Sequence, residues 1–287
     1  GESYAAWRLA DGTRSVVVRM PRRPPGEMPT PMTDEFDAAP LIDPGLGSRA
    51  LAMDAGSDNP LGTAYLVSTF VPGSIVAASN WDEPLLMAHA RQLAALHGRR
   101  FESAGPVGGE GAVLDIVDEF DGGYRWWQET YPDVTRIDGV AALADAVRAF
   151  LVDVAPWFGG IDYAFIHGDL VATNVVVDEG VPRYIDWEWA RIGDVAQDLA
   201  AIGGRVFGGP WYVPMGAATI DRYLEEYVRA GSSPGGQTSL EGLRHRRDAW
   251  ELSERFLTSL HFMKQSRTLA APGPYPDAAR TVQATLR

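Results

Sequence analysis

The chain contains no cysteine, and of its 25 basic residues only Lys264 is a lysine; the other 24 are arginines. Without thiols there is no disulfide scaffold, no cysteine-ligated zinc and no thiol nucleophile. Positive charge is scarce: 25 basic against 38 acidic side chains leave a net charge of −13, which argues against nucleic acid as a partner, because that needs a basic patch. Long apolar runs are missing as well. Stretches such as Val16-Val17-Val18 and Val175-Val176-Val177 fall far short of the roughly 20 residues that span a bilayer. No basic segment followed by an apolar one opens the sequence as a secretion signal would. These absences predict a soluble, cytoplasmic protein that engages neither membrane nor nucleic acid. What is present suffices for a core: 46% hydrophobic and 10% aromatic residues exclude wholesale disorder. A length of 287 residues suits one large domain or two lobes.

Patterning divides the chain in two. Tyr4-Ala5-Ala6-Trp7-Arg8-Leu9, an Asp11-Gly12 turn and Ser15-Val16-Val17-Val18-Arg19-Met20 predict a hairpin. Prolines break residues 21–48 and leave them unassigned, and further strands are expected at 49–53 and 64–71. Helical spacing then takes over. Asp82-Glu83-Pro84 starts a helix that Gly98 stops, and others are expected through Leu143–Val154, Ile220–Val228 and Leu243–Met263. Inside this helical half, residues 163–190 switch to short apolar runs separated by loops. The expected fold class is therefore α+β, with a small β-rich lobe over residues 1–73 and a larger helical lobe over 74–287 that carries an embedded hairpin.

That hairpin carries the chemistry. Its sequence is Phe165-Ile166-His167-Gly168-Asp169-Leu170-Val171-Ala172-Thr173-Asn174, followed by Val175-Val176-Val177 and, past Asp178-Glu179-Gly180, by Tyr184-Ile185-Asp186-Trp187-Glu188. Folding the hairpin brings Asp186 back beside Asn174. Two carboxylates and a carboxamide then surround one small volume, as phosphoryl transfer requires: a base for the hydroxyl proton and hard oxygen ligands for Mg2+.

The spacing Asp-x-x-x-x-Asn matches the protein-kinase catalytic loop, with His-Gly-Asp in place of His-Arg-Asp. Together with Ile185-Asp186-Trp187-Glu188 and Gly193-Asp194-Val195-Ala196-Gln197-Asp198-Leu199-Ala200, it resembles the aminoglycoside phosphotransferase family of kinase-like enzymes. Leu93-Ala94-Ala95-Leu96-His97 looks like that family's helix after the hinge, and Tyr65-Leu66-Val67-Ser68-Thr69-Phe70-Val71-Pro72-Gly73 like its hinge strand. The resemblance implies a kinase-like two-lobe fold and an enzyme that moves the γ-phosphate of ATP or GTP onto a hydroxyl of a small molecule, an antibiotic above all, with Mg2+ as cofactor. It makes Asp169 the catalytic base and Asn174 and Asp186 the metal ligands. Backbone at Ser68, Thr69, Phe70 and Val71 would bind the purine. Gly1-Glu2-Ser3-Tyr4 would lie where a nucleotide-covering loop enters its second strand, which puts Ser3 near the phosphates; the strand that the family has before this loop is not in the sequence.

The scarcity of lysine now bears on mechanism, since the family's phosphate-gripping lysine has no counterpart in the first lobe. The matching position is Arg19, in Arg19-Met20-Pro21-Arg22-Arg23, a run that also resembles the macrolide phosphotransferase branch. A guanidinium can clamp phosphate oxygens in a fork where an ammonium acts as a point charge. Its acidic partner is expected to be Glu35, with Glu27 as runner-up.

Other residues divide between a role and mere structure. His167 reads as structural, as does Asp194, which fits a capping box with Gln197 in the run that also holds Asp198. Glu188 fits either a place near the metal or a solvated position. Acceptor contact is expected around Asp121, Tyr124, Trp126 and Trp127, with Trp211 as a second wall of the pocket; the same aromatics also fit a core. Gly231-Ser232-Ser233-Pro234-Gly235 matches a hydrolase nucleophile elbow but lacks a preceding strand, and Gly45-Leu46-Gly47-Ser48-Arg49-Ala50 lacks the helix a dinucleotide loop needs. A metal-dependent phosphohydrolase would need further paired histidines. A nucleotide-binding pseudokinase and a metabolic kinase for a sugar or amino-alcohol stay open, as do ATP against GTP and monomer against homodimer.

Overall fold

The computed structural model describes residues 3–24, 28, 30–231 and 239–286. Gly1 and Glu2, the alternative partner Glu27, and residues 232–235 of the elbow-like run lie outside the described residues. The predicted hairpin is present as β1 (Tyr4–Ala10) and β2 (Ser15–Pro21). Asp11 Oδ1 closes its turn by accepting from the Thr13 and Arg14 amides at 2.9 and 2.8 Å. Helix α1 (Met32–Ala38) then lies in the proline-rich stretch left unassigned above, with Asp34 and Glu35 in its first turn. Strands β3 (Ala50–Asp54) and β4 (Tyr65–Thr69) complete an antiparallel sheet in the order β1-β2-β4-β3. Residues paired across strands share a face, so Ala6 and Arg8 of β1 lie on the same side as their partners Arg19 and Val17.

The chain then crosses over. β5 (Ser74–Ile75) pairs with β8 (Val175–Asp178), which pairs in turn with β9 (Val181–Tyr184). Helix α2 (Glu83–Leu96) is capped by Asp82, whose side chain accepts from the Leu85 amide. β6 (Arg100–Phe101), β7 (Tyr163–Ile166) and β10 (Arg191–Gly193) form a second small sheet, and α3 (Ile116–Thr130), α4 (Pro132–Thr135) and α5 (Val140–Val154) lie between its strands in sequence. Past β10 run α6 (Val195–Ala201), the pair β11 (Gly203–Gly204) and β12 (Val213–Pro214), and then α7 (Ala217–Gly231), α8 (Leu240–Thr268) and α9 (Tyr275–Leu286). No described helix is long and apolar enough to cross a membrane.

The main core lies where α2 packs on α7 and α8 on α6 and α9. Leu86, Leu93, Ile220, Leu224, Trp250 and Leu260 are buried there. Several polar groups inside this core are matched: His89 Nδ1 meets the Tyr223 hydroxyl at 2.8 Å, and His97 Nδ1 that of Tyr227 at 3.0 Å, while His89 Nε2 is buried without a partner. Arginine serves the core too. Buried Arg255 donates to the Ala200, Ala201 and Val206 carbonyls and lies 3.5 Å over the Tyr212 ring. Arg247 bridges Glu251 and the Gly203 carbonyl. A planar fork with several donors does this in a way an ammonium cannot.

Candidate active site

The catalytic-loop candidate leaves β7 at Ile166 and is held from below by Asp198 of α6. Its carboxylate accepts from the His167 amide at 2.7 Å, the Gly168 amide at 2.9 Å and His97 Nε2 at 3.2 Å. Burial works to raise its pKa, but these donors outweigh burial and hold it below the ordinary carboxylate range. His167 is locked as a spacer: Nε2 lies 3.0 Å from the Ile185 carbonyl, Nδ1 accepts from the Asp169 amide at 3.3 Å, and the ring packs on Trp187. Burial lowers its pKa and keeps it neutral. Gly168 is required twice over. Its φ is +81°, and a Cβ there would come 2.3 Å from the Trp189 carbonyl oxygen.

The hairpin then closes the site. Glu179 and Gly180, at φ 50° and 79°, form the two-residue turn between β8 and β9. The Ile185 amide donates to the Asn174 carbonyl at 3.0 Å. Asn174 Nδ2 donates to the Asp169 carbonyl at 2.8 Å and to Asp169 Oδ2 at 3.1 Å, which turns Asn174 Oδ1 outward as an acceptor. Asp186 lies two residues past the end of β9 rather than within it, at φ 70°, a left-handed backbone that a short polar side chain tolerates at a cost.

From the sheet above, Arg19 reaches down with one Nη to Glu35 and the other to Asp186. Its Nε is buried without a partner, and its guanidinium lies 4.9 Å over the Tyr4 ring. Burial alone would lower the Arg19 pKa; Glu35 and Asp186 override it. Ser3 Oγ donates to Glu188 Oε1 at 3.2 Å, while Glu188 Oε2 is buried and unpaired. Burial, helped by the charges of Asp186, Glu188 and Glu254, raises the Asp169 pKa well above the carboxylate range. Burial and Asp186 push Glu188 to about 7.

This donor set fits a magnesium ion. Asn174 Oδ1 and the Asp186 carboxylate are hard oxygens, and Arg19, engaged by Glu35 and Asp186, is one cation against the carboxylates of Glu35, Asp169, Asp186 and Glu188. Among the described residues no group of three or more His, Cys, Asp or Glu side chains is placed to hold a metal ion; magnesium ordinarily takes only one or two carboxylates and completes its shell with phosphate and water.

The hinge expectation narrows. Ser68 lies inside the ladder opposite Val17 and Ala50, and the Thr69 amide donates to the Arg49 carbonyl at 3.0 Å, because β4 is a central strand. Phe70 and Val71 lie past the last ladder pair, with Arg8 4.0 Å over the Phe70 ring.

On the acceptor side most expected residues turn out to pack. Asp121 is held by Arg148 at 2.9 Å. Tyr124 packs on Phe120 and Phe256, and Trp127 is buried in the core. Trp126 is exposed, edge-on to Trp127 and Tyr131. Trp211 is stacked between Phe262 and Tyr275 at 4.7 and 5.3 Å, and it supports the loop through its carbonyl, which accepts from the Ala172 amide at 2.8 Å. The amphipathic face of α3 turns Phe120 and Tyr124 toward Phe256 of α8.

The model of the phosphotransferase enzyme family (APH) matches residues 1–268. The chain belongs to this phosphotransferase family. Viomycin phosphotransferase of Streptomyces vinaceus is 29% identical over 201 residues, a match that spans 67% of this chain and 64% of that relative's own length. Among solved structures, choline kinase LicA from Streptococcus pneumoniae superposes with a TM-score of 0.64 at 17% identity, covering 98% of this chain and 89% of that one. Aminoglycoside phosphotransferase APH(4)-Ia, as a thermostable mutant in ternary complex with AMP-PNP and hygromycin B, gives 0.57 at 18% identity, with coverages of 98% and 91%. The fold is the kinase-like one, with a small antiparallel sheet before a helical lobe.

Two residues at the candidate site went unread in sequence. Glu254 comes from α8, far along the chain from the motifs, and no local pattern marks it. Trp189 stands beside a motif but has no spacing of its own. Glu188 makes a testable contribution. Its folded pKa of about 7 lies above its ordinary 4.5, so the folded state binds the extra proton. The resulting stability is present below pH 4.5 and is lost as the pH rises through about 7. Calorimetry of the ligand-free wild type should show Tm falling by a few degrees between pH 5 and 7.5 relative to Glu188→Gln, in which this dependence is absent.

Proposed function

We propose that this phosphotransferase moves the γ-phosphoryl group of ATP or GTP onto a hydroxyl of a small molecule in the cytoplasm, and that the acceptor is an antibiotic-like natural product. Residues 1–73 would form the nucleotide lobe and 74–287 the catalytic lobe. The observation that carries the reading is the convergence of Asp169, Asn174 and Asp186 from one loop and hairpin beneath the Arg19–Glu35 pair.

In this reading Asp169 accepts the proton of the attacking hydroxyl. Its raised pKa is the unliganded value, and cations brought by the bound nucleotide would lower it. Asn174, fixed by its amide on Asp169, and Asp186 would hold Mg2+. That ion, when bound, supplies charge neutralisation on the phosphates. Arg19, already placed by Glu35, would release Asp186 and turn its unpaired Nε and freed Nη to phosphate oxygens. Phe70 and Val71 would present backbone groups to the base. Most of the rate enhancement would then come from positioning and fixed charge.

The relationship to viomycin phosphotransferase supports an antibiotic acceptor. Nucleotide- and Mg2+-dependent phosphorylation assays with viomycin, hygromycin B, choline and ethanolamine test the whole assignment. Turnover of viomycin or hygromycin B is the expected result. Preferential turnover of choline or ethanolamine would replace the acceptor class, and no turnover of any compound, with nucleotide bound, would favour a binding module. The expected effect of Arg19→Lys is a nucleotide KM higher on the order of tenfold with kcat within about threefold, as initial rates would show, because one ammonium cannot hold Glu35 and clamp phosphate together.

A further inference from the structure

Where β4 leaves the sheet there is an open cavity that none of the roles above uses. It holds about 320 Å³ and is lined by Arg49 and Thr69 at the sheet, Phe70 and Val71 just past it, and Asp178 and Arg183 of the β8–β9 hairpin. Arg19 pairs with Leu66, and Val16 with Thr69. Side chains alternate along a strand, so Thr69 faces away from Arg19. The loop before β3 is stitched to the hairpin here. The Leu46 carbonyl accepts from the Tyr184 amide at 2.8 Å, and the Ser48 amide donates to the Tyr184 carbonyl at 2.9 Å. Gly47 lies between them, where a Cβ would come 2.2 Å from that carbonyl oxygen. Sheet and hairpin therefore meet one residue away from Arg183.

The charge of this cavity is the reverse of the molecule's. Arg49 is half-buried, and among the described residues its guanidinium has no hydrogen-bonding, ionic or ring partner. Other arginines in that state, such as Arg14, Arg125 and Arg205, are exposed, where water satisfies them. The Arg49 backbone is fixed: its amide donates to Thr69 Oγ1 at 3.0 Å, and its carbonyl accepts from the Thr69 amide at 3.0 Å. On the hairpin side, Arg183 gives one Nη to Asp178 at 3.2 Å, and the two side chains are 29% and 39% exposed. A pair so open to water is held weakly, which leaves Arg183 donors for a ligand. Two guanidiniums against one carboxylate thus line one cavity in a chain whose net charge is −13. Their planar forks match the oxygens of a phosphate group.

We propose that this cavity is a second anion site, in which Arg49 and Arg183 engage a phosphate group, free or esterified, and so tie the sheet to the hairpin. The site uses none of the catalytic residues. Its effect on the enzyme rests on the nucleotide site proposed above. Phe70 and Val71, which would present backbone groups to the base, also line the cavity. The nucleotide would bridge the same two elements through Arg19 on the sheet and Asp186 just past the hairpin. Both ligands then favour one arrangement of sheet and hairpin, and each should tighten the other.

Calorimetric titration of the full chain with inorganic phosphate, and separately with glycerol phosphate, at constant ionic strength tests it. At least one of the two is expected to bind with a Kd of about 1 mM or tighter. Tighter binding of the ester identifies an ester as the ligand, and the reverse identifies free phosphate. Arg49→Gln should weaken binding by about tenfold and Arg49→Lys by about threefold, since lysine keeps the charge and loses the fork. Asp178→Asn should act in the opposite sense and tighten binding by about threefold, because it frees Arg183. Arg14→Gln, which removes the same charge from an exposed turn, should leave the affinity within about twofold. AMP-PNP should bind about threefold more tightly with phosphate present, and this gain should vanish in Arg49→Gln. No binding of either probe, wild-type affinity in Arg49→Gln, or an equal loss in Arg14→Gln overturns the site. If Arg49→Gln does not fold, two variants decide: tighter binding in Asp178→Asn with about tenfold weaker binding in Arg183→Gln supports the site, and no change in either overturns it. Phosphate that weakens AMP-PNP equally in wild type and Arg49→Gln acts at the catalytic residues and also overturns it. A chain that binds phosphate through Arg49 but binds no nucleotide keeps this site and loses the proposed activity. An active kinase whose phosphate affinity is unchanged in Arg49→Gln does the reverse.

Discussion

Asp169→Asn is expected to lower kcat on the order of a thousandfold, with the KM for nucleotide within about threefold, because general-base catalysis by a positioned carboxylate contributes roughly 10²–10⁴. An amide cannot take the hydroxyl proton, yet it keeps the shape of the side chain and an oxygen that can still accept from Asn174 Nδ2, which now donates to Asp169 at 3.1 Å. The loop should therefore stay in place. Steady-state rates for an acceptor that the wild type phosphorylates check the first quantity, and nucleotide titration of the variant checks the second. Wild-type kcat in Asp169→Asn would remove the base assignment. Loss of nucleotide binding would mean that the carboxylate acts chiefly by holding the loop and Asn174.

Asp198→Ala is expected to have the largest effect on stability. The side chain is fully buried and accepts from two loop amides and from His97. Its removal leaves the His167 and Gly168 N–H groups without an acceptor and His97 Nε2 without its carboxylate, a loss of roughly 3–5 kcal/mol for a broken buried charged network. For a chain of this size that corresponds to a fall in Tm of about 10 °C by calorimetry. Activity should fall with it, since His167 and Gly168 set the position of Asp169. Asp198→Asn keeps one good acceptor and should lie between the two. A Tm within about 2 °C of wild type in Asp198→Ala would show that the loop is held by other contacts, such as His167 Nε2 on the Ile185 carbonyl.

Much of the nucleotide side was legible from residues alone. Asp169, Asn174 and Asp186 sit at a spacing that a hairpin of known turn length must fold together, and Glu179-Gly180 is a turn that side-chain chemistry specifies. Arg19 could be anticipated from its matching position in the family resemblance and Glu35 as its acidic partner, and the structure brings the two side chains together. The acceptor side was much less so. Asp121, Tyr124, Trp127 and Trp211 have the composition of a binding wall, but the direction each faces depends on how α3 packs against α8 and on what α9 contributes, and Tyr275 of α9 stacks on Trp211. Helix α1 was hidden for another reason: prolines around it mask a short helix whose stability comes from its packing rather than its propensity.

By itself, then, the sequence determined the family, the order of a small antiparallel sheet before a helical portion, and the loop and hairpin on which the proposed chemistry rests, with Arg19 where the resemblance leads one to expect a lysine. These are local facts, set by spacing, turn residues and the scarcity of an amino acid. Only the tertiary structure decided that Asp198 is the anchor of the catalytic loop, that Gly168 makes room for Trp189, and that Glu254 adds its charge to Asp169. Each of these joins residues 20 or more positions apart in the chain, and long-range packing brings them together without leaving a periodic mark at either end.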